Sequence, residues 1–316
     1  MRRREFITLV GGAAVAWPLA SRAQQSAMPV IGFLSSRSPG ESAGIVAAFR
    51  KGLGQAGFVE GENLAIAFRW AEGHFDRLPG LAAELVGLHV ALIFAAGGQP
   101  SALAAKAATS TIPIVFSAVS DPVEIGLIAS LNQPGGNITG MGVFATLGAK
   151  RIELMKELMP AAGVLGYLLN PSDPMSDSES QRVLGAARVL GVELHVLSAS
   201  SEYELDAAFA SVAKLGVAAL VVSGEPFFDS QRDRIVALSA RHAVAAVYAW
   251  REYVLAGGLM SYGTDLPDSY HKAGIYAGRV LKVKNLPTCR LCNRPSFILR
   301  SSARPLRAAR VARPRQ

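Results

Sequence analysis

An α/β fold of two lobes, each a parallel sheet flanked by helices, is the architecture this sequence predicts. Short apolar runs alternate with amphipathic stretches from Pro29 to about Lys284, the pattern of a parallel sheet with helices on both faces. At 316 residues, 50% hydrophobic and 18% charged, the chain is long enough for two packed units of ordinary domain size. The segment Leu238 to Tyr248 also echoes Leu103 to Phe116, a small-residue helix, a link and a buried strand, which reads as a weak pseudo-repeat of the two halves.

In the first half, Val30 to Leu34 reads as a buried strand ending in Ser35-Ser36. A helix from Ser42 to Ala56 follows, with Ile45, Phe49 and Leu53 on one face. Leu64 to Trp70 alternates as a second strand. Asp76 to Leu88 is a helix with Leu78, Leu81, Leu85 and Leu88 inward, and Ala91 to Ala95 is a third strand ending in Gly97-Gly98. Residues 81 to 98 are apolar, but Glu84 and His89 interrupt them, so helix then strand explains them better than a membrane span.

A helix from Ser101 to Thr109 leads to the central stretch of the chain. There Ile112 to Phe116 is a strand, Ser117 to Pro122 a small polar loop, and Pro134 to Asn137 a glycine turn before another short strand. Ligands of open α/β sheets lie beyond the carboxyl ends of the strands. Ser35, Ser36, Gly97, Gly98, Ser117, Ser120 and Asp121 all fall at such ends, along one edge of the sheet. Glycine lets a backbone N–H approach a ligand and serine both donates and accepts, although each of these residues taken alone is an ordinary turn former. Asp121 is the preferred partner for a ligand amine.

The second half repeats the alternation. Helices are expected at Leu147 to Met159, Ser178 to Leu190, Glu202 to Leu215 and Ser230 to Arg241. Strands are expected at Val164 to Leu169, Glu193 to Leu197, Ala218 to Val222 and Ala245 to Ala249. Their ends carry Asn170, Glu225 and Trp250. A last helix runs from Ser269 to Val283.

The run IPIVFSAVSDPVEIGLIASLNQPGGNITG, residues 112 to 140, resembles the signature of the exported substrate-binding proteins of ABC importers, in the branch that includes tryptophan- and phenylalanine-binding proteins. Gly257-Gly258-Leu259-Met260-Ser261-Tyr262-Gly263 resembles the same family's return crossover. The similarity covers about residues 28 to 284. It implies two Rossmann-like lobes joined by a hinge, the type I periplasmic-binding-protein fold, with lobe 1 at 28–141 plus 259–284 and lobe 2 at 142–258. It further implies that the chain is not an enzyme, and that a small amino-acid-like ligand is captured by hinge closure and passed to an ABC permease in the inner membrane. The protein is then a monomer with no nucleic-acid partner. On this reading Asn170, Glu225 and Tyr262 face the cleft, where Asn170 hydrogen-bonds, Glu225 pairs with an ammonium and Tyr262 gives ring and hydroxyl contact. A turn asparagine, a solvated glutamate and a packing tyrosine are the alternatives. Phe228, Tyr262 and Trp250 suit an apolar ligand side chain.

Charge and cysteine usage agree with export. Of the formal +8, residues 1–23 carry +3 and residues 285–316 carry +8, leaving the body at −3 and removing the main support for nucleic-acid binding. Residues 1–23 have the charged, apolar, small-residue order of a cleaved secretory signal, and Arg3-Arg4-Glu5-Phe6-Ile7 resembles the twin-arginine type. From about residue 286 the chain leaves the family pattern for an acid-free, Arg-rich tail holding both cysteines, Cys289 and Cys292, which we read as a shifted reading frame. One Cys-x-x-Cys pair is a weak zinc or redox signal.

No cofactor, metal or catalytic residue is expected. The chain has no Gly-x-Gly-x-x-Gly after a strand, no Walker-type Gly-Lys-Ser/Thr and no Gly-x-Ser-x-Gly elbow. His74, His89, His195, His242 and His271 lack metal-ligand spacing. A ligand sensor serving a receptor and, less favoured, a periplasmic α/β enzyme are the rival readings.

Overall fold

The computed structural model describes residues 28–143 and 147–284; the expected signal segment and the Arg-rich tail lie outside the described residues. The first sheet has the order β2-β1-β3-β4-β5, from Ala65–Trp70, Val30–Ser35, Leu92–Ala96, Ile114–Ser120 and Ile138–Val143. Every pairing is parallel: Phe33 lies between Phe68 and Phe94, and Phe94 is next to Val115. Helices α1 (Ala43–Gln55), α2 (Leu78–Gly87) and α3 (Gln99–Ala108) connect these strands, with a 3-10 turn at Phe75–Arg77 leading into α2.

The second sheet, also parallel throughout, has the order β10-β9-β8-β6-β7. Its strands are Met260–Ser261, Ala245–Tyr248, Ala219–Val222, Val164–Leu169 and Glu193–Ser198. Around it lie α4 (Leu147–Leu158), α5 (Ser176–Val189), α6 (Glu202–Val212), α7 (Pro226–Ser230), α8 (Arg232–Arg241) and α9 (Arg251–Leu255). The last helix, α10 (Leu266–Lys284), returns to the first lobe and packs along α1. β5 stays in the first sheet through Val143 and β10 belongs to the second, so the chain passes between the sheets after 143 and again after 261.

Why these segments fold this way is visible in what they bury. β1, β3 and β8 are covered on both faces, so they are apolar without alternation, as parallel interior strands are. Phe33, Phe49 and Phe94 meet between β1, β3 and α1, the last two stacked at 4.1 Å. Each aromatic pair adds about 0.5–1.5 kcal/mol beyond burial. In α2, Leu78 and Leu85 are buried, but Leu81 is half-buried and Leu88, expected inward, is 52% exposed at the helix end.

Three further segments differ from the expected elements. β4 runs on to Ser120 rather than stopping at Phe116, with a register shift between Ser117 and Val119 and Ala118 at φ 61°. The bulge lets a polar stretch stay paired to β5. The helix expected at Ser230 to Arg241 starts at Arg232, because a separate short helix, Pro226–Ser230, capped by Glu225, precedes it. α9 and β10 are too short to leave a periodic signal.

Candidate functional site

Parallel strands put all their carboxyl ends on one edge, and the two edges of this molecule face each other. The first lobe supplies the segments after β1, β3 and β4. There Ser36 Oγ donates to Gly97 O at 2.7 Å, Tyr270 OH accepts from Gly97 N at 2.8 Å, and Ser35 Oγ accepts from Arg37 N at 3.1 Å. Gly97 (φ 82°) is held to glycine twice over, since a Cβ would lie 2.4 Å from Ser36 Oγ. Ser117 Oγ is 3.3 Å from Ser269 Oγ on α10. Asp121, half-buried at φ 36°, accepts from Glu124 N at 3.1 Å.

These partners are internal, so Ser35, Ser36, Gly97, Gly98, Ser117 and Asp121 brace the strand ends and do not line the cavity between the lobes. From the first lobe, Gln99 and Ser120 line it. Gly98 meets the second lobe instead: a Cβ there would be 3.7 Å from Pro226.

The second lobe contributes most of the wall. Glu225, at the end of β8, lines the cavity, as do Ser120 and Trp250 among the residues expected near the ligand. It is buried, and its two oxygens accept from Phe227 N (2.9 Å) and Phe228 N (2.8 Å), capping α7. Asn170 stands behind it, donating from Nδ2 to Glu225 Oε2 at 3.3 Å while its Oδ1 accepts from Ser172 N. Burial, with the nearby Asp173 carboxylate adding to it, pushes the Glu225 carboxyl up to about 8. Burial first and Glu179 second raise Asp173 to about 6. Tyr262 is half-buried, its N–H on Tyr248 O. Phe228 is wholly buried in the core and Trp250 lines the cavity.

Sequence reasoning passed over Asp173, Glu179, Arg182, Arg151 and Thr264, all in the wall. Asp173 precedes a proline and looks like a turn residue. Arg151 left a usable signal. It lies on the buried stripe Gly148, Arg151, Ile152, Met155 of α4, where a cation has no place unless it is needed. Its Nη1 donates to Val222 O at 2.8 Å.

The two lobes also touch outside the cavity. Arg37, after β1, forms a buried ion pair with Asp229 of α7, and Arg232 Nη1 reaches the same carboxylate at 3.2 Å. Arg182 on α5 pairs with Glu124 of the first lobe at 2.9 Å, partly exposed.

The sequence model of the family described as "ABC transporter substrate binding protein" matches residues 30–308. The chain belongs to this family. Such substrate-binding proteins bind small molecules, interact with ABC permeases and are extracellular or periplasmic. A "Tyrosine-binding protein" of Clostridioides difficile is 31% identical over 239 residues, 75% of this chain and 68% of that one. A Streptococcus pneumonia ABC domain solved in complex with L-Trp matches with TM-score 0.76 at 23% identity, over 86% of this chain and 90% of that one. The ligand-free, open structure of a Clostridium difficile substrate-binding protein with adhesive properties matches with TM-score 0.59 at 26% identity, over 84% and 88%. The fold is that of the type I periplasmic binding proteins. Among the described residues no helix is long and apolar enough to cross a membrane.

Proposed function

We propose that this family member captures a zwitterionic solute of the amino-acid class between its lobes, closes on it about the two crossings, and delivers it to an ABC permease as the periplasmic component of an importer. One observation carries the reading. A single cavity with walls from both lobes combines carboxylates (Asp173, Glu179, Glu225) with guanidinium groups (Arg151, Arg182), the chemistry that a joined ammonium and carboxylate require. Glu225 and Asp173, rather than Asp121, are the partners for the ammonium, whose charge displaces the proton that burial holds on Glu225, and Trp250 offers a face to an apolar side chain. No bond is made or broken. Closure is supported by the buried Arg37–Asp229 pair across the lobes and by the higher match to the tryptophan complex than to the open, ligand-free relative. The name of the tyrosine-binding relative supports an aromatic amino acid as the first ligand to try.

Mass spectrometry of molecules released from the purified protein, with a thermal-shift series over the amino acids, tests this. A ligand at a hundred times its Kd stabilises by about 2.7 kcal/mol, so Tm is expected to rise by several degrees with at least one aromatic amino acid. If none of the twenty moves Tm and nothing amino-acid-like is released, the proposal fails.

A further inference from the structure

Beside Arg182 Nε, whose side chain is 34% exposed, three buried residues of the cavity wall carry a hydrogen-bond donor with no partner among the described residues. These donors are Arg151 Nε, Trp250 Nε1 and Thr264 Oγ1, in residues only 5%, 7% and 7% exposed. All three residues line the one cavity, yet they arrive on separate elements: α4, the segment between β9 and α9, and the segment before α10. A buried donor without a partner costs about 1–3 kcal/mol, so three in the wall of one cavity are a standing demand for an acceptor. The backbone around them has the same polarity. Leu147 and Gly148 open α4 and Thr264 precedes α10, so the positive ends of two helices reach the same space.

We propose that Arg151, Trp250 and Thr264 form a subsite that reads a carboxylate of the ligand. The inference rests on the capture of a solute in this cleft and adds which residues select its acid group. Two oxygens of one carboxylate have lone pairs for all three donors, and the guanidinium supplies the charge. The acidic part of the wall, Asp173, Glu179 and Glu225, faces a different need, the ligand's cation. The subsite therefore separates an amino acid from the corresponding amine, which shares its side chain and ammonium and lacks only the acid.

Isothermal titration calorimetry with L-tyrosine, L-tryptophan, tyramine, tryptamine and 4-hydroxyphenylacetate tests this on the wild-type protein and on Trp250→Phe, Thr264→Val and Arg151→Lys. The first two variants each delete one donor at nearly constant volume, so they remain informative if Arg151→Lys, which also disturbs the bond to Val222, fails to fold. The wild type is expected to prefer carboxylates to the matching amines by roughly 10-fold or more, and each variant to lose several-fold in affinity for the carboxylates alone. Equal affinity for L-tyrosine and tyramine overturns the proposal, as does unchanged binding of L-tyrosine by Trp250→Phe and Thr264→Val; the donors then serve bound water. Wild-type binding of 4-hydroxyphenylacetate but of neither amino acid, lost in the variants, upholds the subsite and refutes the amino-acid reading. Failure of every carboxylate to bind overturns the subsite.

Discussion

Both oxygens of Glu225 are engaged by the amides of α7, and its carboxyl titrates far above the ordinary range, so the residue couples the site to folding. The sign follows from linkage. A carboxyl raised from 4.5 to about 8 favours the folded state while protonated, so its contribution is full below pH 4.5 and is lost as pH rises toward 8. Asp173, raised to about 6, acts in the same direction at lower pH. Each unit of displacement is worth about 1.4 kcal/mol. Ligand-free protein is therefore expected to lose Tm between pH 5 and 8. Glu225→Gln loses one capping acceptor and starts about 1 kcal/mol lower in acid. It should flatten that slope and overtake the wild type by pH 9; parallel curves in a pH series of thermal melts would refute the assignment. At this scale the sequence was legible where function coincides with a strand end. Glu225 was visible because β8 delivers it. Arg151, Glu179 and Arg182 were not, because they reach the cavity from helices whose placement depends on the closing of the whole lobe.

Among elements, the α1–α10 contact shows most plainly what local sequence can and cannot say. β6 was readable to the residue from its apolar run, while the register of α10 on α1 is set by absent side chains. A Cβ on Gly274 would lie 2.2 Å from Phe49 O, and one on Gly52 would lie 2.0 Å from His271 O, so the two backbones touch only because neither residue has a side chain. Helical periodicity marks which face is apolar and is silent on how closely two faces approach. Gly274→Ala is expected to push α10 outward and to cost about 1–3 kcal/mol in urea unfolding. Gly54→Ala, on α1 with nothing within 4 Å of the new carbon, should instead stabilise by up to about 1 kcal/mol. If the two substitutions behave alike, backbone contact is not what holds the returning helix. The short elements α9 and β10 were illegible for a different reason: five residues and two residues complete no period.

Across the whole molecule, under the proposed closure, the balance between open and closed lobes turns on the contacts that cross the gap. Arg182–Glu124 is partly exposed and is worth at most about 1 kcal/mol, less in salt. Arg37–Asp229 differs, because both side chains are almost fully buried, with Arg232 on the same carboxylate and Glu41 influenced by both arginines. Opening returns those charges to water, so the pair's net worth in closure is small, whereas removing one partner leaves a cation stranded in the closed form alone, about 3–5 kcal/mol. Asp229→Asn strands Arg37 while leaving the cavity wall, which contains neither residue, untouched. Its lobes should therefore stand open without ligand and show a larger radius of gyration by small-angle scattering. Apparent affinity should weaken in proportion to the lost closed population, since a binding-competent fraction f scales Kd by about 1/f. Saturating ligand should restore the compact radius. In the double variant Arg37→Met with Asp229→Leu the buried cation leaves with its partner, and Arg232, 20% exposed, keeps Asp233 at 3.8 Å, so the variant should scatter like the wild type. If Asp229→Asn has the wild-type radius at every ligand concentration, the lobes are held by their apolar contacts and the ion pair is incidental to closure.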